Sequence, residues 1–578
     1  MSENRISVKF AGQSGQGINT IGMLLSKTLN DYGFRIFAYR EYPSLIQGGV
    51  ASYQVDFSNK EINSSSRYCN ILLAFTSESL NSYLKDVKEN GIIIYDKKEI
   101  VFTQEQEHLI KTRNITTIFL DSENVATQAG GTMIMSNVVM LGFVWRILDL
   151  EIDTLVQIVL EYFKTKNIDL EAEEKSIRAG YQSPTFRPNL SEKLDIPKSE
   201  IFKQSSYVMT GNHAICLGAI AAGVRAYYGY PMTPATSILK YFSDFANETN
   251  MLVKQAENEI TAVQLALGSM YMGTRALVAT SGGGFDLMTE TISCAGMSET
   301  PLVIVLSQRA GASTGVPTWT GAGDLNIALK SGHGEFPRCV LSASDANSSY
   351  TLIQKAFNIA EKYQIPVILL SEKQISESIF SLKSIPKNLP LGRGLTEEFQ
   401  GQESRYQITD SGVSPRWIPS KEKKPFLANS DEHSEDGTST EDSQEVIAMS
   451  DKRMRKLETL LEEIPEPELK GDKNASIIFV GWGSVKNTIL DAMHIAAYNS
   501  KEERKIAYLH YEYLYPLKTK VLDELIANQK RLVLVENNQT GQLGSFIKEQ
   551  TGYDFKEKLL KYDGRPFFVE DILDFLKN

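Results

Sequence analysis

Gly229-Tyr230-Pro231-Met232-Thr233-Pro234, Gln255-Ala256-Glu257-Asn258-Glu259 and Ala279-Thr280-Ser281-Gly282-Gly283-Gly284 decide the fold. Each stands where an apolar strand pattern gives way to a helical one. Arg225–Tyr230, Leu252–Gln255 and Arg275–Thr280 read as strands, and Ile260–Met270 carries helical periodicity. Strands that alternate with helices build a parallel sheet, because a parallel neighbour is reached only through a crossover. In an open parallel sheet ligands bind outside the carboxyl ends of the strands, so the three turns form a polar floor on one edge. Glu257 and Glu259 open the helix after the second strand. Carboxylates in a first helical turn suit the macrodipole, and helix capping alone accounts for them. A carboxylate set between apolar strands is nevertheless costly to bury unless it is protonated or hydrogen-bonded. The rigid turn Tyr230-Pro231-x-Thr233-Pro234 brings a hydroxyl to the same edge.

The pattern continues outward. Leu302–Leu306, Arg338–Leu341 and Pro366–Leu370 are further strands, with a helix over Ser349–Lys362. Ahead of this block, residues 1 to about 165 place strands at Ile6–Phe10, Arg35–Tyr39, Ala51–Phe57, Asn70–Phe75, Gly91–Tyr95 and Thr116–Leu120. Helical segments such as Ile18–Leu29 alternate with several of them, which predicts a mostly parallel α/β layer. Ala172–Pro197 is polar and weakly patterned and reads as a linker. From Ser384 to about Lys473 the pattern fails. Pro386, Pro390, Pro415 and Pro419 interrupt it, and Ser430–Glu445 is acidic and poor in apolar residues, so a mobile or wrapping excursion is expected, with one charged helix over Asp451–Glu462. A third α/β block, Ala475–Asn578, has strands at Ala475–Val480, Lys505–His510 and Arg531–Glu536.

The chain has 578 residues, of which 42% are hydrophobic. That length suits roughly three or four domains. No apolar run reaches the ~18 residues of a spanning helix. Met133–Leu148 comes nearest and is interrupted by Ser136, Asn137 and Arg146. The N-terminus lacks the apolar core of a signal peptide. A cytoplasmic protein with no membrane contact is predicted. The net charge of −11 excludes general nucleic-acid binding, which needs a basic face. Cys69, Cys216, Cys294 and Cys339 are far apart, so no iron–sulfur or zinc site is built from close-spaced thiols and no metal ligand is assigned. All four read as buried free thiols.

Gly12, Gly15 and Gly17 separate the first strand from the first helix. Glycines there allow positive φ and bring backbone N–H groups to an anion at the helix start. Their spacing is not that of the dinucleotide fingerprint, and no Gly-Lys-Ser/Thr follows, which excludes a Walker loop. A plain tight turn and a phosphate site both fit. Gln47-Gly48-Gly49, ahead of a strand, is a second candidate for the same surface.

The second block resembles the alpha subunit of the 2-oxoacid:ferredoxin oxidoreductases, in particular the 2-oxoglutarate type. The matching strings are GNHAICLGAIAAGVRAYYGYPMTP, QAENEITAVQLALGSMYMGTRALVATSGGGFDLM and ETPLVIVLSQRAGASTGVPT, and later RYQITDSGVSPRWIP, VENNQTGQL and KYDGRPF. The first block resembles the gamma subunit, fused ahead of alpha. The resemblance implies a multidomain α/β chain with a gamma-type domain over 1–190 and a thiamine diphosphate pyrimidine-binding domain over 200–383. A linker then spans 384–473, and a transketolase-C-terminal-like domain spans 474–578. It implies oxidative decarboxylation of a 2-oxoacid to an acyl-CoA, with coenzyme A as co-substrate and electrons leaving to ferredoxin. Glu259 matches the glutamate at the aminopyrimidine ring, where a protonated carboxyl favours the imino tautomer that activates the cofactor. Tyr230, Pro231, Ser281 and Gly282 join it as cofactor contacts. Thr233 matches the hydroxyl near the substrate's oxo group. Arg309 is a candidate for fixing the substrate carboxylate, and a strand-end surface arginine fits the position equally. Gly12, Gly15 and Gly17 become candidates for the coenzyme A phosphates.

The Gly-Asp-Gly…Asn pattern that holds magnesium diphosphate is absent, as are cluster cysteines. The resemblance assigns Mg2+ and the [4Fe-4S] cluster to a separate beta subunit, which shares the thiamine diphosphate, in a dimer of alpha–beta heterodimers. One departure concerns Trp319, where the family often carries Arg or Lys. A guanidinium there would pair with a distal substrate carboxylate, and tryptophan does not. This favours a branched-chain, aromatic or short 2-oxoacid over 2-oxoglutarate, and leaves a catalytically silent scaffold as the alternative. His213 and His333 are candidate polar contacts or structural residues.

Overall fold

Apolar runs too continuous for one-sided sheets, separated by amphipathic helices, assemble into three sheets. A computed structural model describes residues 5–44, 49–96, 100–196, 207–396, 403–420, 425–499 and 506–577. The first block supplies β1 (Arg5–Gln13), β2 (Arg35–Glu41), β3 (Val50–Ser58), β4 (Cys69–Ala74), β5 (Val87–Tyr95) and β6 (Thr116–Phe119). The second supplies β7 (Tyr207–Thr210), β8 (Ala226–Gly229), β9 (Leu252–Gln255), β10 (Ala276–Thr280), β11 (Leu302–Gln308), β12 (Cys339–Ser342), β13 (Pro366–Glu372) and β14 (Ile379–Leu382). After the excursion come β15 (Glu468–Gly471), β16 (Ile477–Trp482), β17 (Ile506–Tyr511), β18 (Tyr513–Tyr515), β19 (Arg531–Glu536) and β20 (Glu557–Leu560). Lys505 and the pair Gln47-Gly48 lie outside the described residues.

The central sheet runs β18-β12-β13-β11-β10-β8-β9 and is parallel except for β18. Every residue of β10, β11, β12 and β13 is buried. Helices cover both faces, which is why these strands carry Val, Ile and Leu without alternation. Parallel pairing puts the carboxyl ends of β8, β9, β10, β11 and β13 on one edge, and the site is built there.

The first sheet, β6-β5-β4-β1-β3-β2-β14-β7, corrects one expectation. It is mixed rather than mostly parallel: β1, β4, β5 and β6 pair parallel, while β3, β2, β14 and β7 pair antiparallel. The β2–β3 connection is too short for a helical crossover, so these strands can only run antiparallel. β7 and β14, which flank the second block in sequence, complete this sheet, so the two blocks share a sheet edge. The third sheet, β15-β17-β16-β19-β20, is parallel apart from its edge strand β15. β18 leaves the third block to pair with β12 of the central sheet.

Two segments differ from the pattern reading. Ala172–Pro197 is not a linker: Leu170–Tyr181 is a helix packed on Ser136–Ile147. The two cross through Gly142 and Gly180, where a side chain would collide with the carbonyls of Ile177 and Val139. The buried stripe of Ala172, Ser176, Ile177 and Gly180 is made mostly of small residues, so no apolar periodicity announced it. Ser136–Ile147 itself is a buried core helix, and among the described residues no helix is long and apolar enough to cross a membrane.

The excursion wraps. Its helix spans Ser443–Glu463, starting earlier than Asp451 because Asp442 caps it, accepting from the N–H groups of Gln444 (3.0 Å) and Glu445 (3.1 Å). It closes the edge of the central sheet opposite the three turns. Glu299, in the turn before β11, is fully buried and receives Lys452 and Lys456, each at 2.5 Å. Arg405 donates to the Glu299 carbonyl at 2.8 Å. Glu361 similarly receives Arg275 at 2.6 Å and Arg416 at 3.4 Å. Arg416 and Arg393 also donate to carbonyls at the end of the helix Glu259–Tyr271, Met270 and Gly273, where the macrodipole is negative. Cys69, Cys216 and Cys339 are buried and Cys294 half-buried, all free.

Candidate functional site

Asn258 turns the chain from β9 into the helix Glu259–Tyr271. Its Oδ1 accepts from Thr261 N at 2.9 Å, which makes Glu259 the first helical residue. The two acidic residues then part company. Glu257 is exposed and accepts from Thr261 Oγ1 at 2.8 Å. Glu259 points inward and is 4% exposed. Its Oε1 is buried with no hydrogen-bond partner, an expensive state that asks for a donor or a proton from a ligand.

β10 delivers the next wall. Ser281 starts the short helix Gly282–Asp286, and its Oγ is likewise buried and unpartnered. Gly284 lies directly on the glutamate: a Cβ there would stand 2.6 Å from Glu259 Oε1 and would also strike Thr280 Oγ1. Glycine at this position makes the close approach possible. Thr280 Oγ1 lies 3.9 Å from the sulfur of Met232, which ties the β10 turn to the Tyr-Pro-x-Thr-Pro turn. Arg309, just past β11, donates from Nη1 to the Thr233 carbonyl at 3.0 Å. Burial lowers the Arg309 pKa, with the Asp324 charge opposing. Glu259, Thr233, Ser281, Gly282 and Arg309 are thus brought to one edge.

Asp324 was not anticipated from the sequence. Its carboxylate packs on Gly282, where a Cβ would come within 2.8 Å of Oδ2. Burial, and then the Asp286 charge, push its pKa up to about 6 against the pull of Arg309. The only sequence signal was its place as the last polar residue before the helix Leu325–Lys330.

Trp319 lies beside Ala310, whose N–H donates to the Trp319 carbonyl at 3.2 Å. The guanidinium of Arg565, from the third block, stacks on the indole 3.3 Å from the ring centroid. A cation from a remote part of the chain therefore lies against Trp319. Behind it, Thr320 Oγ1 donates to the buried Glu372 at 2.8 Å, and Ser484 N donates to the same carboxylate at 3.0 Å.

Other candidates fall elsewhere. Gly12 lies within β1 rather than in the loop, and Gly15 and Gly17 adopt positive φ. Neighbours of these glycines are Gln16, Ile18, Phe75 and Asn137, all in the first block. His213 stacks on Tyr241 with ring centroids 4.6 Å apart, and the exposed His333 donates its backbone N–H to Ser293 Oγ. Among the described residues no group of three His, Cys, Asp or Glu could hold a metal. Tyr230 (41% exposed), Ile260 (49%), Leu287 (49%) and Val316 (46%) are exposed apolar residues on the segments that follow β8, β9, β10 and β11, and Pro231 is exposed beside Tyr230.

A parallel sheet with an orphaned glutamate at a helix start and a glycine turn facing it defines a buried polar ligand site at the sheet's carboxyl edge. Residues 217–452 match the family described as "Pyruvate flavodoxin/ferredoxin oxidoreductase, thiamine diP-bdg", and residues 7–183 match "Pyruvate ferredoxin/flavodoxin oxidoreductase". The chain is 29% identical to the 2-oxoacid:ferredoxin oxidoreductase subunit alpha of Sulfolobus sp, over 98% of this chain and 96% of that one. It is 26% identical to the 2-oxoglutarate oxidoreductase subunit KorA of Mycobacterium tuberculosis, over 99% and 91%. A solved 2-oxoglutarate:ferredoxin oxidoreductase from Magnetococcus marinus, with 2-oxoglutarate, coenzyme A and succinyl-CoA bound, superimposes with a TM-score of 0.89 at 27% identity, covering 100% of this chain and 99% of that one. The chain belongs to the 2-oxoacid:ferredoxin oxidoreductases, whose alpha subunits it matches over nearly its full length.

Proposed function

We propose that this chain is the pyrimidine-binding half of a 2-oxoacid:ferredoxin oxidoreductase that converts a 2-oxoacid and coenzyme A to an acyl-CoA, carbon dioxide, a proton and two electrons. The unpartnered Oε1 of Glu259 carries the reading. Thiamine diphosphate supplies the electron sink for the decarboxylation. Glu259 holds or receives a proton at the aminopyrimidine ring nitrogen, which gives its orphaned oxygen a partner. Ser281 Oγ and the Gly282–Gly284 turn leave room for the ring, and Tyr230 and Pro231 border it. Arg309 orients the substrate carboxylate and steadies Thr233 beside the oxo group. The catalytically silent alternative is not favoured, because both orphaned polar atoms would then be costs with no return.

The diphosphate end of the cofactor, with Mg2+ and a [4Fe-4S] cluster, belongs to a beta subunit seated over the exposed Tyr230, Ile260, Leu287 and Val316. Exposed apolar residues on the segments that follow the strands of a half-site fit a protein partner. Electrons pass through that subunit to ferredoxin, in a dimer of alpha–beta heterodimers. The loop Gly12, Gly15 and Gly17 is the candidate cradle for coenzyme A phosphates. It opens the helix Ile18–Asp31, and a Cβ at Gly15 would meet nothing within 4 Å, so the space for an anion exists.

Co-expression with the beta subunit tests this: the complex is expected to retain thiamine diphosphate and reduce a viologen with a 2-oxoacid, while the chain alone does neither. Equal activity of the chain alone would overturn the half-site. We take the Arg565 guanidinium stacked on Trp319 as the partner of a distal substrate carboxylate. Arg565→Ala is therefore expected to raise the KM for 2-oxoglutarate about tenfold, the scale of one charged hydrogen bond, and to leave 2-oxobutyrate within about twofold. Equal changes for both substrates would remove Arg565 from the substrate pocket.

A further inference from the structure

Residues 320–326 run between the catalytic edge and the third block, and the third block grips them closely. Ala322 N donates to Asn537 O at 2.8 Å, and Asn538 Nδ2 donates to Ala322 O at 3.0 Å. Thr320 N donates to Gly564 O at 3.2 Å. Gln542 does more. Its Nε2 donates to Gly323 O at 2.7 Å, while its Oε1 accepts from Asn326 N at 3.1 Å. One amide thus bridges the residues on either side of Asp324.

The far side of Asp324 is fixed as firmly. Its N–H donates to Gln308 Oε1 at 2.9 Å, and Gln308 Nε2 donates to Ser371 O at 3.1 Å on the neighbouring strand. Its carboxylate packs on Gly282. Gln542 is held in turn: its N–H donates to Asn538 Oδ1 at 3.3 Å, and Asn538 Nδ2 donates to the buried Glu536 at 2.8 Å. Trp482 Nε1 donates to the same carboxylate at 3.0 Å. The Glu536–Leu543 turn therefore forms a rigid post whose tip is Gln542.

We propose that Gln542, remote from the reacting atoms, is a positioning residue for the substrate site: it sets Asp324 against Gly282 and beside Arg309, and so tunes how Arg309 holds an anionic substrate. This deepens the proposed function and rests on it. A carboxylate near Arg309 competes with the substrate for that charge. The charged groups facing Asp324 are Arg309, after β11, and Asp286, in the helix Gly282–Asp286. With Asp324 raised to about 6, it is neutral below that pH and Arg309 is unopposed; above it the new negative charge weakens substrate binding. The KM is therefore expected to rise as pH increases through about 6. Loosening Asp324 into water returns its carboxyl toward the usual range and moves that break to lower pH.

The test compares wild type, Gln542→Ala and Gln542→Glu in the co-expressed complex, with Lys330→Ala as control. Lys330 forms an exposed ion pair with Glu549 across the same helix contact, at 2.8 Å. Just below pH 6, where Asp324 is neutral in wild type and ionised once loosened, Gln542→Ala is expected to raise the 2-oxoacid KM about 5- to 10-fold, with kcat within about twofold and the KM–pH break shifted down. Gln542→Glu keeps the acceptor for Asn326 and gives a smaller effect; Lys330→Ala gives none. An unchanged KM and unmoved pH break in an active complex would overturn the proposal. If wild type turns over no 2-oxoacid, the functional reading fails instead, and amide exchange over Leu325–Lys330 in the full chain decides the positioning: faster exchange in Gln542→Ala supports it, and unchanged exchange overturns it.

Discussion

Glu259→Gln is expected to lower turnover of the alpha–beta complex by about 10²- to 10⁴-fold, the usual range for a lost general acid–base group. Glutamine matches glutamate in shape and leaves the close packing against Gly284 intact, so the fold should survive. It cannot exchange a proton at the aminopyrimidine ring. If Glu259 served only to open its helix, the change would cost a few tenths of a kcal/mol of stability and leave turnover untouched. Steady-state kinetics beside a thermal melt separate the two: a large fall in kcat at an unchanged melting temperature is predicted, and an unchanged kcat would reduce Glu259 to a helix-start residue.

The largest stability effect belongs to the opposite edge. Glu299→Gln leaves Lys452 and Lys456 buried on one helix face with no anion between them, and both lysine side chains are 0% exposed. Breaking such a buried pair costs about 3–5 kcal/mol, which is large beside the net stability of a domain. Burial alone would push the Glu299 carboxyl up; Lys456, then Lys452 and Arg405, more than reverse this and hold it well below the usual carboxylate range. A carboxyl depressed in the folded state stabilises above its unfolded pKa, and that stability is lost as pH falls through the folded value. Denaturant unfolding should therefore show a stability loss in Glu299→Gln that is full at neutral pH and narrows in acid. Replacing the triad together, as Glu299→Leu with Lys452→Met and Lys456→Met, should recover most of the loss, since a well-packed apolar substitute avoids the desolvation cost. A neutral-pH loss below about 1 kcal/mol would show that the clamp is solvated after all.

The strands around the site were legible because the parallel sheet is buried on both faces, which leaves unbroken apolar runs punctuated by Gly, Pro and Ser. Glu259 was legible for the same reason: a carboxylate following β9 stands where such a fold presents ligands. What the sequence hid was carried by small or distant residues. The helix Leu170–Tyr181 packs through Gly180 and Ser176, so it read as a linker. The first sheet is extended by β14, whose partner β2 lies more than three hundred residues earlier, and no local pattern encodes that pairing. Trp319 read alone as the loss of a guanidinium. The cation that stacks on it is Arg565, which only the folded chain brings there. Asp324 and Gln542 belong to the same class: ordinary polar residues whose roles come from what tertiary structure places between them.

The most direct test of the account is viologen reduction by the purified alpha–beta complex, measured across a panel of 2-oxoacids with thiamine diphosphate and coenzyme A each present or withheld. Reduction is expected to require a 2-oxoacid, the bound cofactor and this chain with Glu259 intact, with an acyl-CoA formed in step with the electrons delivered. Reduction that proceeds equally with Glu259→Gln, or no reduction with any 2-oxoacid, would contradict it.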